Sequence, residues 1–121
     1  MESFELPMKP SLSDDTLSKA EQQAALFRIF GNPYRLLILW LLEEQERTII
    51  EIVLALGLTQ LSASHHVRIL ELHNLVQSRK DEEGRFYYQL VDREGLLNCR
   101  IFANKPQVML TEVNLISSNP T

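Results

Sequence analysis

The chain of 121 residues has a formal net charge of −4, with 45% hydrophobic and 23% charged residues. These values are typical of one soluble domain that buries its own core. A single cysteine excludes an internal disulfide framework and fits a reducing cytoplasm. The sequence does not begin with the charged segment and apolar segment of a secretory signal, so we expect none. The densest apolar run, residues 36–42, is too short to span a bilayer. We therefore expect a cytoplasmic protein with no membrane partner.

The acidic balance argues against nucleic-acid binding by bulk electrostatics, but it is unevenly distributed. Residues 1–58 contain five Lys or Arg against nine Asp or Glu, whereas residues 59–91 contain four against four and all three histidines. Any DNA binding must therefore depend on specific contacts from a small part of the surface, and we expect these contacts in residues 59–91.

The first twelve residues contain two prolines and no periodicity, so we expect a mobile arm before a single domain over residues 13–121. Cap-type residues at 13–15 start a first helix. Its apolar face is predicted at Leu17, Ala20, Ala24, Phe27 and Phe30. We expect Gly31 to end this helix in a left-handed conformation, and Asn32 and Pro33 to begin the next one.

The second helix, from Pro33 to about Glu44, is apolar on nearly every side, which predicts a central core helix with Trp40 buried. Thr48 and Glu51 have the spacing of a capping box for a short third helix, which ends at Gly57. Thr59 can then cap a fourth helix. Two short helices joined by Gly-Leu-Thr are typical of a helix-turn-helix unit.

The fourth helix has two different faces at helical spacing. Ala63, Val67 and Leu70 form an apolar side. The other side carries no acid and consists of Gln60, Leu61, Ser64, His65 and Arg68. Such side chains can reach base edges or phosphates in a major groove, although an ordinary solvated face has the same composition. We expect His66 to be structural and His73 to lie at the surface or cap the helix end.

A hairpin follows the fourth helix. Asn74 is a left-handed stop, and two strand-like runs occupy residues 75–81 and 85–91, joined through Gly84, which can adopt positive φ. A last helix is expected from Asp92 to about Asn104, while the tail after it has no clear assignment. The predicted fold is mostly α: a winged helix-turn-helix with about five helices and a small antiparallel β-hairpin.

With these elements the sequence resembles the ArsR/SmtB family of bacterial winged-helix transcription regulators, through FGNPYRLLILWLL, EIVLALGLTQLSASHHVRILELHNLV and GRFYYQL. The resemblance covers about residues 27–92. It implies a homodimer through the first and last helices, whose reading helices enter successive major grooves of an imperfect inverted repeat in double-stranded DNA. It also implies repression, although an activator that opposes another repressor would have the same sequence features.

The resemblance places the family's reading positions on Gln60, Leu61, Ser64 and His65. Leu61 departs from the serine that is frequent there, and we expect it to contact a thymine methyl. Phosphate contacts are expected near the helix start and on the wing, from Ser62, Arg79, Lys80 and Arg85. The acids at 81–83 argue against insertion of the wing tip into a minor groove.

The metal sites of the family are not matched. Its cysteine pair on the third helix falls on Thr48 and Ile50. Its carboxylate and imidazole set keeps Asp92 and Glu94 but falls on Lys105 and Val108 in the other half. Half a donor set cannot close a tetrahedral shell, so we expect neither metal sensing nor a cofactor.

Two other function classes are weighed against DNA binding. No phosphate loop, nucleophile elbow or cleft acid pair indicates an enzyme. A winged helix used for protein interaction is compatible with the acidic balance, but it would not need the polar face of the fourth helix. Cys99 is expected to be a small buried hydrophobe, with an intersubunit disulfide as the redox alternative.

Overall fold

The structure, a computed structural model of the chain, describes residues 11–91 and 100–110. The elements in chain order are α1 Asp14–Phe30, α2 Pro33–Glu44, α3 Ile49–Leu56, α4 Gln60–Leu72, β1 Val76–Lys80 and β2 Phe86–Leu90. A 3₁₀ turn occupies Arg100–Phe102. The predicted mostly α winged helix-turn-helix is confirmed, although the described residues contain four α-helices rather than about five.

The helices begin where the sequence predicts, because a side chain at each start accepts an otherwise unpaired backbone N–H group. Ser13 caps α1, and Asn32 accepts two N–H groups of α2 at 2.8 and 3.2 Å. The capping box of Thr48 and Glu51 is formed in both directions, at 2.9 and 3.2 Å. These starts are determined locally, so the sequence was sufficient to find them.

Asn74 at φ 57° and Gly84 at φ 87° are left-handed as predicted, and Gly57, which ends α3 as predicted, is also left-handed at φ 68°. The prediction for Gly31 is wrong, because its φ is −76°. Its N–H donates to the carbonyl of Arg28 at 3.3 Å, and an added Cβ would lie 3.3 Å from the carbonyl oxygen of Phe27. Close approach of the preceding turn, rather than a left-handed backbone, therefore favours glycine there.

The core lies between α2, α3, α4 and the base of the hairpin. Five aliphatic side chains in it have no exposed surface: Ile38, Leu39, Leu41, Ile52 and Leu70. Burial of each contributes about 1.5–3 kcal/mol to folding. Trp40 was predicted to be buried, and this is wrong: it is half-buried, and its Nε1 donates to the carbonyl of Ile101 at 2.6 Å. The indole thus faces the C-terminal segment, where its N–H finds an acceptor.

The predicted apolar face of α1 is mostly outside the core. Leu17 is 50% exposed and Phe27 is 62% exposed, whereas Ile29 is only 8% exposed and joins the core with Leu26 and Phe30. The chain bends by 85° between α1 and α2, so only the last turn of α1 reaches the core. No single helix of the described residues is long and apolar enough to cross a bilayer, and only this bent pair meets that measure by length and composition.

The predicted last helix is only partly covered, since Asp92, Glu94 and Cys99 lie outside the described residues, as does most of the predicted arm. Where it is described, the prediction is wrong: a 3₁₀ turn ends at Phe102 instead of an α-helix reaching residue 104. Pro106 disfavours a helical conformation in the residue before it. The Nζ of Lys105 instead lies 3.3 and 3.0 Å from carboxylate oxygens at the end of α2, on Glu43 and Glu44.

Candidate nucleic-acid interface

The two faces of α4 are present in the structure. Ala63, Val67 and Leu70 are buried, with exposed fractions of 0%, 1% and 0%. All five side chains expected on the other side are exposed: Gln60, Leu61, Ser64, His65 and Arg68. We call these five the outer face of α4. It combines hydrogen-bond donors and acceptors with one aliphatic side chain, the mixture that reads base edges and thymine methyl groups.

The turn before α4 fixes the direction of this helix. The N–H groups of Gly57 and Leu58 both donate to the carbonyl of Val53, at 2.9 and 3.3 Å. Thr59 Oγ1 then accepts the N–H of Ser62 at 3.1 Å. Ser62 is half-buried and its N–H is used by this cap, so its hydroxyl is the group left for a phosphate.

His66 lies beside the outer face and contacts the start of α2. Nδ1 of His66 is 3.3 Å from Nη1 of Arg35, whose Nε donates to the carbonyl of Ile29 at 2.9 Å. The ring of Tyr34 stacks on His66 with centroids 6.1 Å apart and 23° between planes. Burial, and then the charges of Arg35 and His65, hold the pKa of His66 below its ordinary value. His66 therefore joins α4 to α2, which agrees with the structural role expected for it.

The wing is an antiparallel hairpin, in which Lys80 is opposite Phe86. Asp81 Oδ1 closes its turn by accepting the N–H groups of Glu83 and Arg85 at 2.9 and 2.8 Å. The backbone hydrogen bond from Arg85, followed by its side-chain hydrogen bond, holds the pKa of Asp81 below its ordinary value. The tip of the wing is thus ordered by a charged carboxylate, which repels phosphates at short range.

Each cationic side chain of the wing has a different environment. Arg85 donates at 2.9 Å to each of two tip carboxylates. Arg79 binds Glu46 in the connection between α2 and α3. Lys80 is exposed, its Nζ lies 5.5 Å from the centroid of the Phe86 ring, and it forms no ion pair with the described residues. Lys80 is therefore the cation most readily available to a phosphate.

No metal centre is formed by residues 11–91 and 100–110, where no three His, Cys, Asp or Glu side chains are grouped to hold an ion. Thr48, at a position of the family's cysteine pair, uses its hydroxyl to cap α3. Lys105 is engaged by Glu43 and Glu44, and the hydrogen bond to Glu44 raises its pKa. Val108 is 74% exposed.

Two contacts of this region were missed from the sequence. Arg35 and His66 are separated by 31 residues, and Glu46 and Arg79 by 33. A helical or strand period relates only residues a few positions apart, so no spacing in the sequence pointed to either pair.

Comparison with known proteins agrees with this geometry. Residues 32–78 match the family model described as "Bacterial regulatory protein, arsR family". An uncharacterized HTH-type transcriptional regulator of Methanocaldococcus jannaschii is 38% identical over 78 residues, covering 64% of this chain and 88% of the relative. The matched segment 32–78 contains the helix-turn-helix and the whole outer face of α4.

Two solved structures are also similar. The crystal structure of NolR from Sinorhizobium fredii has 32% sequence identity and a TM-score of 0.66, over 75% of this chain and 88% of that one. A homodimeric winged helix-turn-helix DNA-binding domain from Mycobacterium bovis has 30% identity and a TM-score of 0.57, over 68% of this chain and 75% of that one. Both identities are high enough for the shared fold to reflect a shared family.

Proposed function

The chain belongs to the ArsR/SmtB family of DNA-binding winged helix-turn-helix transcriptional regulators, and we propose that it is a repressor. In this proposal a homodimer in the cytoplasm binds double-stranded DNA at an imperfect inverted repeat, and it does so without a metal or cofactor and without catalysis. The observation that carries the proposal is the outer face of α4, five exposed side chains of which none is acidic, on a helix whose other side is buried.

We place base recognition on this outer face. Its buried opposite side and its capped start fix the helix, so the exposed side chains enter a major groove at defined spacing. The polar groups bond base edges, and Leu61, which is 82% exposed, contacts a thymine methyl. The residues assigned to base recognition are Gln60, Leu61, Ser64, His65 and Arg68.

Phosphate contacts are assigned to both sides of the reading helix. Lys80 is the principal one on the wing, because it is exposed and forms no ion pair within the described residues. Arg85 reaches a phosphate only by leaving Asp81 and Glu83, so its contribution is smaller. Ser62 contributes its hydroxyl at the start of α4, where the helix dipole favours an anion.

The exposed face of α1 supports a homodimer. Leu17, Ala20, Ala24 and Phe27 follow the three-and-four spacing of a helix that packs lengthwise on a second helix, and all four are exposed in the single chain. An apolar stripe of this kind is stabilised by a second copy that covers it. The similar M. bovis domain is homodimeric. The second part of the proposed interface is the C-terminal segment, residues 92–104.

The test is selection of bound duplexes from a random pool, followed by footprinting of the enriched sequence. We expect an inverted repeat whose half-site centres are about 10–10.5 base pairs apart, or a multiple of that. The control is a Ser64→Ala/His65→Ala variant, which should enrich no common sequence. A reporter placed behind the enriched sequence then separates repression from activation. If the wild-type protein also enriches nothing, the winged helix is a protein-interaction module instead.

A further inference from the structure

Arg47, in the connection between α2 and α3, pairs with β2 of the wing and extends its sheet by one residue. The N–H of Arg47 donates to the carbonyl of Tyr88 at 3.0 Å, and the N–H of Tyr88 donates back to the carbonyl of Arg47 at 2.7 Å. The sheet at this point therefore has β1, β2 and Arg47 side by side. A two-stranded hairpin alone is marginally stable. Contacts with the rest of the domain therefore stabilise the wing and determine its orientation.

Arg79 links these three strand positions across one face of the sheet. It is in β1, opposite Tyr87 in β2, and its guanidinium lies 4.8 Å from the centroid of that ring. Beyond the ring it binds Glu46, next to Arg47, through Nε at 3.1 and 2.9 Å and through Nη2. The hydrogen bond from Arg79 holds the pKa of Glu46 below its ordinary value, so this acid is charged. Two donors on one carboxylate define an angle as well as a distance.

The two cations of β1, Arg79 and Lys80, lie on different faces of the wing. Successive residues of a strand point to opposite faces, so Lys80 is on the face opposite Arg79. Lys80 is on the same face as Val76 and forms no ion pair with the described residues, whereas Arg79, on the other face, is already bound to Glu46. Arg79 is arranged to hold the wing rather than to meet a phosphate.

We propose that Glu46 and Arg79 are positioning residues that fix the tilt of the wing relative to α4, and that neither contacts DNA. This inference rests on the proposed DNA-binding function. A cognate site requires the wing and the outer face of α4 to engage together, and phosphate contacts set that register. Binding to random DNA depends on charge alone and tolerates a loose wing.

The test compares Glu46→Gln with Glu82→Gln, because both variants remove one negative charge from the same region. Glu82 is in the wing turn and has no ion pair with the described residues. The probes are the duplex enriched by the selection above and a scrambled duplex of the same length. We expect Glu46→Gln to bind the enriched duplex about fivefold more weakly, with no loss on the scrambled one. Glu82→Gln should lose nothing on either.

A phosphate-binding role for Arg79 makes the opposite prediction. Removing Glu46 would then release a cation, and Glu46→Gln would bind the enriched duplex as tightly as wild type or tighter. Arg79→Lys is the second variant, since it keeps the charge but loses the two-pronged contact. We expect it to weaken binding like Glu46→Gln, and the double variant to be no weaker than either single one. Independent, additive losses would overturn the proposal.

A measurement without DNA separates this inference from the proposed function. Amide order parameters of residues 77–90 in the full chain should fall in Glu46→Gln and remain at the wild-type level in Glu82→Gln. If they are unchanged in Glu46→Gln, the pair does not position the wing. If the order falls but the wild-type protein enriches no duplex, the positioning role holds and DNA binding is what fails.

Discussion

Arg35 joins the first turn of α2 to the proposed reading helix through its Nη1, 3.3 Å from Nδ1 of His66. A guanidinium can only donate, so Nδ1 of His66 accepts and the neutral ring carries its proton on Nε2. A second proton on Nδ1 would remove this hydrogen bond and place a positive charge beside Arg35. The geometry therefore acts in the same direction as burial, the main cause of the lowered pKa of His66.

The lowered pKa of His66 predicts a loss of stability in mild acid. The unfolded chain takes up a proton on this ring near about pH 6.5, whereas the folded chain takes it up only at lower pH. This contribution is therefore complete above that pH and is lost as the pH falls through the folded-state pKa. Denaturant melts across this range should show a steeper loss of unfolding free energy for wild type than for His66→Asn, which keeps an acceptor for Arg35. Equal slopes would contradict the prediction. His73→Asn, at an exposed histidine, is the control.

Trp40 predicts a second effect on stability, at the C-terminal segment. Trp40→Phe removes the donor to the carbonyl of Ile101 but keeps most of the apolar contact. We expect a loss of about 1 kcal/mol in unfolding free energy, with faster hydrogen exchange at the N–H of Lys105, which bonds the 3₁₀ turn. Tyr34→Phe is the control, because its hydroxyl makes no hydrogen bond within the described residues. No difference between the two variants would show that the indole N–H does not hold this segment.

Features determined by neighbouring residues could be predicted from the sequence. The caps at Asn32, Thr48 and Thr59 satisfy N–H groups two or three residues ahead, and Gly57 needs only its own backbone conformation. The periodicity of α4 likewise assigned its buried and exposed sides correctly, because the helix packs along its whole length. Turns and helix caps depend on residues that are only a few positions apart, so they can be predicted from a single sequence.

Features determined by how elements meet could not be predicted. The apolar face of α1 suggested core packing, but the 85° bend before α2 leaves Leu17 and Phe27 exposed. Trp40 is on an apolar helix, yet its surroundings depend on where the segment after residue 99 returns. The pair of Glu46 and Arg79 depends on the wing folding back beside the α2–α3 connection. Each of these depends on long-range geometry, which periodicity does not contain.

The exposed face of α1 predicts that one charge there prevents dimer formation. Phe27→Glu places a carboxylate in the proposed interface, where burying an unpaired charge is costly. We expect sedimentation equilibrium to show a dimer for wild type and a monomer for Phe27→Glu. Phe86→Glu is a matched control, since Phe86 is 53% exposed on the wing and Phe27 is 62% exposed on α1. The dimer assignment to α1 fails if both variants remain dimeric, or if Phe86→Glu dissociates as well.

The outer face of α4 and the wing make separable predictions for DNA binding. His65→Ala removes a group assigned to a base edge, so we expect a loss of about 1–3 kcal/mol on the enriched duplex and a much smaller loss on a scrambled one. Lys80→Ala removes a cation assigned to a phosphate, so it should weaken binding to both duplexes similarly. Its salt dependence should also become shallower, by about 0.9 in the log–log slope for each phosphate that the lysine neutralises in wild type. The measurement is fluorescence anisotropy of labelled duplexes at several salt concentrations.

Matched controls for this last prediction are on the same chain. His73→Ala changes a histidine at the C-terminal end of α4, where Nδ1 lies 2.9 Å from the carbonyl of Ile69, away from the outer face. Lys19→Ala removes an exposed lysine of α1 that is paired with Asp15 at 3.3 Å. Neither control should weaken binding to the enriched duplex as His65→Ala and Lys80→Ala do. If His65→Ala and Lys80→Ala bind the enriched duplex as tightly as the controls do, the outer face of α4 does not read bases and the wing does not bind phosphate. Loss of a base-reading group or of a phosphate-binding cation would each weaken a recognition complex.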